Sequence, residues 1–166
     1  MTTAQGMSEI DRRTVAAWAA DCAERVLPLF ESEAPDDGRA RDAIARARAF
    51  ARGELSAAGE IRRRFVAGRA ARSATSRAGA AAARSAAQAA GVAHMGAHAL
   101  GAAAYAAVAV ELAHPQDASA RRNEGAWQLE ALPPDAAAAL RRLPLVGRMP
   151  RAPSVPGFWR RARSGR

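Results

Sequence analysis

Between Arg84 and Glu111 the chain carries no charged side chain. An interval of that length is either a membrane span or a helix enclosed by other protein. Its make-up favours the second. Alanine and glycine dominate, His94 and His98 lie inside, and the bulky apolar residues are few: Val92, Met95, Leu100, Val108 and Val110. Insertion into a bilayer is driven by larger aliphatic and aromatic side chains. Small side chains let helices approach closely. The segment Val92–Leu112 is therefore expected to be the central helix of an all-α bundle, contacted on nearly every side. His114-Pro115 ends it.

The remaining pattern supplies partners for that helix. Val15, Trp18, Cys22, Val26, Leu29 and Phe30 recur on one face of a helix expected over 11–33. Asp21 and Arg25 lie beside that face, four apart and acid first, so an internal ion pair between them is expected. Pro28 cannot donate to the carbonyl of Glu24 and should kink or end the helix. Asp36 or Asp37 is a good N-cap for a second helix over 37–52, which carries Ala40, Ile44, Ala47 and Ala51 beside Phe50. Gly53 is its expected C-cap.

A third helix begins near Ser56, with Glu60 in its early turns. It turns Ile61, Phe65 and Val66 inward and Arg62, Arg63, Arg64, Arg69 and Arg72 mostly outward. A break follows over Ser73–Gly79. Ala80–Ala90 is helical by propensity, and Gly91 ends that segment. Pro115–Gly125 reads as a loop or a short helical turn. Pro134 suits the first turn of a last helix, packed through Ala139, Leu140 and Leu143. The sum is five to seven helices in one domain over 11–143. A flexible start, 1–10, precedes it. A disordered Pro- and Arg-rich tail, 144–166, follows it.

Charge is unevenly placed. The net charge is +9, and every basic residue is arginine apart from three histidines. Gly147–Arg166 holds six arginines and no acid. Glu9–Asp42 holds nine acids against five arginines. Ile61–Val110 holds seven arginines and no acid. An acidic end joined to a basic middle and tail is not a nucleic-acid signature in itself; at most it implies nonspecific, salt-sensitive retention. Aromatic residues that would interleave with the arginines are missing, and no nucleic-acid reading motif is recognisable. Cys22 is the only cysteine, so an intramolecular disulfide is excluded. That fits a reducing cytoplasm. The first residues lack the basic and apolar regions of a secretory signal.

Catalytic motifs are missing: there is no Gly-x-Ser-x-Gly, no phosphate loop and no dinucleotide fingerprint. The sharpest chemical candidate is His94-Met-Gly-Ala-His98. Two imidazoles four apart on a helix can share a metal. Met95 stands where a metalloprotease would carry its glutamate, and no third ligand follows from spacing. A structural role is the simpler reading of His94 and His98. Neither a metal nor another cofactor is expected.

One resemblance joins these segments. Trp18–Glu31, Pro35–Glu54, His94–Tyr105 and the Trp127-Gln-Leu stretch together resemble the Imm5-like immunity proteins of bacterial polymorphic toxin systems, over roughly Asp11–Leu143. Phe50 stands where that pattern often has tryptophan, and the basic tail lies outside it. The resemblance implies a non-enzymatic cytoplasmic protein that binds a cognate toxin and covers its active region. For such a partner the acidic end offers Glu31, Glu33, Asp36 and Asp37 as candidate contacts. Their charge could steer a basic toxin cleft and mimic phosphate.

Overall fold

The computed structural model describes residues 7–143, the side chains of residues 61–65 excepted. Among the described residues all regular structure is helical. Seven helices follow in order: α1 (Glu9–Glu31), α2 (Arg39–Ala51), α3 (Ala57–Ala70), α4 (Arg77–Gly91), α5 (His98–Ala113), α6 (Ala120–Glu130) and α7 (Pro134–Arg141). None is long and apolar enough to cross a membrane. The expected tail, 144–166, lies outside the described residues.

Serines start three of the helices. Ser8, Ser56 and Ser76 are in extended conformation, and each side chain accepts from the N–H three residues on: Asp11, Gly59 and Gly79 respectively. Each satisfies one donor that the first turn cannot pair internally. At Ser8 the Asp11 carboxylate returns a bond to the Ser8 N–H, which completes a capping box. The ordered fold therefore begins earlier than expected: Met7 is fully buried and α1 starts at Glu9. At the end of α2, Gly53 has a φ of +85°. Its N–H bonds Phe50 O and the next, of Glu54, bonds Ala49 O. Only glycine takes that turn cheaply.

The central helix is α4, which corrects the expectation for Val92–Leu112. Helix α4 packs against α1, α2, α3 and α5, whereas α5 packs against α4, α1 and α6. Residues 92–97 are a turn, and the second helix starts only at His98. The reason lies in the glycines. A side chain at Gly91 would stand 2.9 Å from Cδ2 of His98, so the bare backbone is what lets His98 fold back over α4. The long uncharged interval is thus the end of one helix, a turn and a second helix.

The interface of these two helices is built of methyl groups. Buried alanines line both helices, Ala81, Ala82, Ala83, Ala86 and Ala89 on α4 and Ala99, Ala102, Ala103 and Ala106 on α5, all at 2% exposure or less. Ser85 is buried among them and donates its hydroxyl to Ala102 O at 2.8 Å. Large side chains add to the buried core from α1 and α2: Trp18, Val26 and Phe30 from α1, Ile44 and Phe50 from α2.

Other expectations need revision. Pro28 sits inside α1, which runs one further turn to Glu31; Ser32 N–H then bonds Pro28 O at 3.0 Å. The N-cap position of α2 is Gly38, one residue beyond Asp37, although the Asp37 carboxylate still accepts from Arg39 N–H at 3.2 Å. Val66, expected inside, is 40% exposed. The side chains of Ile61 and Phe65 lie outside the described ones. Of the loop or short helical turn expected over Pro115–Gly125, the part from Ala120 is helical and opens the longer α6; Asp117 accepts from both the Ser119 N–H and hydroxyl and so turns the chain into it.

Candidate partner-docking surface

Glu31, Glu33, Asp36 and Asp37 stand where α1 gives way to α2, and the fold uses three of them internally. The Glu31 carboxylate holds the Arg41 guanidinium by two bonds, of 2.7 and 2.6 Å. The Glu33 carboxylate reaches the start of α4. It accepts from the Thr75 N–H at 2.7 Å, the Ser76 N–H at 2.8 Å and both hydroxyls. The Ser76 hydroxyl above all, then the two backbone donors, hold the Glu33 carboxyl below its ordinary range, against partial burial. Asp37 pairs with Arg39 at 2.7 and 2.6 Å, and this hydrogen bonding depresses the Asp37 carboxyl strongly. Arg39 continues to the Ser73 hydroxyl at 3.0 Å. Asp36 is exposed.

This corner is therefore a brace. Two turns far apart in sequence, α1–α2 and α3–α4, are tied by Glu33 and by Arg39. Helix starts favour negative charge, so Glu33 adds to the stability of α4 as well as joining it to α1.

His94 and His98 do not share one helical face. His94 belongs to the turn and His98 opens α5, yet their rings meet edge to face with centroids 5.1 Å apart. His98 Nδ1 lies 2.6 Å from Gln88 Oε1. Because Oε1 only accepts, His98 Nδ1 is the protonated nitrogen. Burial first, and the neighbouring His94 second, push the His98 imidazole down to about 4, so it is neutral near pH 7. Gly91 and Gly101 leave room for this Gln88–His98 bridge between α4 and α5. Among the described residues no three His, Cys, Asp or Glu side chains gather to hold a metal ion.

The expected Asp21–Arg25 pair is replaced by two pairs across helices. Asp21 meets Arg48 of α2 at 2.9 Å, and Glu24 meets the same guanidinium. Arg25 points the other way, to Glu124 of α6, at 3.1 Å. The helix positions favoured an (i, i+4) pair, but a buried acid on another helix wins: the Glu124 side chain is 3% exposed and its charge needs a partner. Arg25 also lies 3.8 Å from the centroid of the Trp127 ring. Beneath them Gln128 donates to Ala103 O at 3.0 Å, and the Trp18 indole donates to Gln128 O at 2.9 Å. Spacing gave no signal for this cluster, since its members are about a hundred residues apart. Cys22 lies buried on the same face of α1, as expected of a small core residue.

The positive charge divides differently. Arg13, Arg25, Arg39, Arg41, Arg46, Arg48 and Arg52 each pair with a carboxylate. Buried Arg12 instead donates to Ala93 O at 3.0 Å and Met7 O at 3.2 Å. On α3, α4 and the turn between them, Arg69, Arg72, Arg77 and Arg84 are all exposed, and no carboxylate among the described residues is paired with them. Next to Arg69 on α3 is the exposed Val66. A shallow groove lined by Val66, Ala67, Arg39, Asp42, Ala43, Arg46, Glu60 and Ala90 runs beside it.

No curated protein and no solved structure gives a significant match to the chain. A family model does match, over residues 5–135, and that span takes in α1 to α6 and the whole brace at the α1–α2 corner. The helical pattern, the Trp18 and Trp127 segments and this match agree, and the chain belongs to the family described as Imm-5 like putative immunity protein.

Proposed function

We propose that this protein is a non-catalytic immunity protein that binds a cognate toxin of a polymorphic toxin system in the cytoplasm of the producing cell. The family match over residues 5–135 carries this reading. Neutralisation by occlusion needs a preformed surface complementary to the toxin and no turnover chemistry. The chain offers such rigidity at the α1–α2 corner, where Glu33 and Arg39 brace the two turns. Of the four acids there, Asp36 is the one whose carboxylate is exposed and outside these internal pairs. The reading is tested by co-expressing the full chain with a candidate toxin, sought first among the genes that neighbour its own. Restored growth together with a stable complex of the purified proteins is the expected outcome. Continued killing with no complex would overturn it.

The histidines support a structural part instead of a metal-dependent one. His98 is committed to Gln88, and the pair closes the α4–α5 turn.

A further inference from the structure

We infer that the α3–α4 hairpin is the docking edge, and that the toxin meets it with carboxylates. The inference rests on the immunity reading and reverses the sign of the surface that the acidic end suggests. Its carrier is the segregation of paired from unpaired arginines. The chain places acids beside its arginines throughout α1 and α2, and none between Ile61 and Val110. Arg69, Arg72, Arg77 and Arg84 are left exposed without carboxylate partners.

The nearest acids do not cancel that charge. Glu33, which faces the start of α4, is held by Thr75 and Ser76. Asp37 is held by Arg39. Asp36 stays exposed at the neighbouring turn, and in the groove beside Val66 Glu60 is held by Arg46 while Asp42 is exposed. Like charges on one hairpin repel each other and oppose the compact state, and an acidic partner relieves that repulsion. Val66, one turn before Arg69 and 40% exposed, supplies an apolar contact inside the charged edge. An apolar centre with a charged rim is the usual anatomy of a protein interface. A nucleic-acid partner would find no exposed aromatic ring on this hairpin to stack upon, among the described side chains.

The test uses the full chain and the toxin that the co-expression experiment identifies. Association is timed at low and high salt for the unaltered protein and for a variant carrying Arg69→Gln, Arg72→Gln, Arg77→Gln and Arg84→Gln. The expected result is association slowed at least about tenfold at low salt, with a flatter salt dependence. Two double variants, Arg69→Gln with Arg72→Gln and Arg77→Gln with Arg84→Gln, serve if the fourfold change prevents folding. Each should show part of the loss. An Asp36→Asn change should leave the rate equal or faster. A folded arginine variant that associates like the unaltered chain overturns the edge and leaves the immunity reading standing. An unaltered chain that binds no toxin overturns both. Retention on duplex DNA that falls in the arginine variant, while toxin association holds, assigns the edge to nucleic acid and overturns the proposal too; the basic tail is the same in both proteins.

Discussion

The carboxylate of Glu33 fills the space that a side chain at Gly79 would need. A Cβ built at Gly79 would lie 2.6 Å from Glu33 Oε2 and 2.7 Å from Cδ. Gly79 is in the first turn of α4, where its N–H bonds the Ser76 hydroxyl at 3.0 Å, and that hydroxyl in turn donates to Glu33. The carboxylate therefore rests directly on the helix end.

A Gly79→Ala change must push Glu33 away. In an ordinary helix the same change adds stability, by about 1 kcal/mol. Here it is expected to cost about 1–2 kcal/mol, through loss of the cap bonds. Chemical denaturation of Gly79→Ala, Glu33→Ala and the double variant checks this. The two single losses should not add, because once Glu33 is gone the methyl has room.

Loss of Arg25 strands the Glu124 carboxylate in the core. Arg25→Ala is expected to destabilise by about 2–4 kcal/mol, the lower end reflecting a guanidinium that is 41% exposed. Adding Glu124→Gln should recover a good part of that loss. Thermal midpoints of the four proteins in the cycle measure it; equal losses in the single and double variants would assign Arg25's effect to its packing on Trp127.

Acid acts on the fold in two windows. His98 titrates at about 4 in the fold, against an ordinary 6.5. Between those values the unfolded chain binds a proton that the folded chain refuses. Stability is therefore full above pH 6.5 and falls as pH drops towards 4, by up to about 3 kcal/mol from this group. Glu33, Asp37 and Asp11 are shifted down, so their contribution is held above the ordinary carboxylate range and is lost at still lower pH. Unfolding free energies across pH 4–7 should show the first slope, and His98→Leu should flatten it.

Cys22 should be silent towards thiol reagents in the native state. Burial first, then the charges of Glu124 and Asp21, push its thiol far up, so little thiolate forms near neutral pH. Labelling with a maleimide should follow the rate of unfolding and rise sharply in denaturant. Fast labelling of the folded protein would show that α1 opens locally.

The helical architecture was legible where local chemistry decides it. Ser56, Gly53 and Pro134 act through their own turns, and each stands where its residue type suggests. The face of α1 followed from spacing for the same reason. What escaped depends on contacts distant in sequence. The α4–α5 turn is made by Gly91 yielding to His98, and alanine has no periodicity strong enough to mark where such a helix stops. Arg25 chose Glu124 over Asp21 because of burial on another helix. Glu33 read as an acid at a helix end that faces a partner, and its bonds to Thr75 and Ser76 depend on where α4 begins. The internal bonds of Glu31, Glu33 and Asp37 could not be read from composition, because their partners lie on other turns and helices.

The alanine seam between α4 and α5 has a consequence for how so thin a core holds together. Methyl groups have no rotamers to freeze, so burying them costs almost no side-chain entropy. Each contributes little, but almost all of what it contributes is kept. The same seam has a ceiling on size: Ala82, Ala86, Ala102 and Ala106 are all at 0% exposure, so a larger side chain there must be taken up inside the core. Sequence drift at these positions is expected to run towards residues no bulkier than alanine or barely so, glycine and serine, so the distance between the two helices resists change.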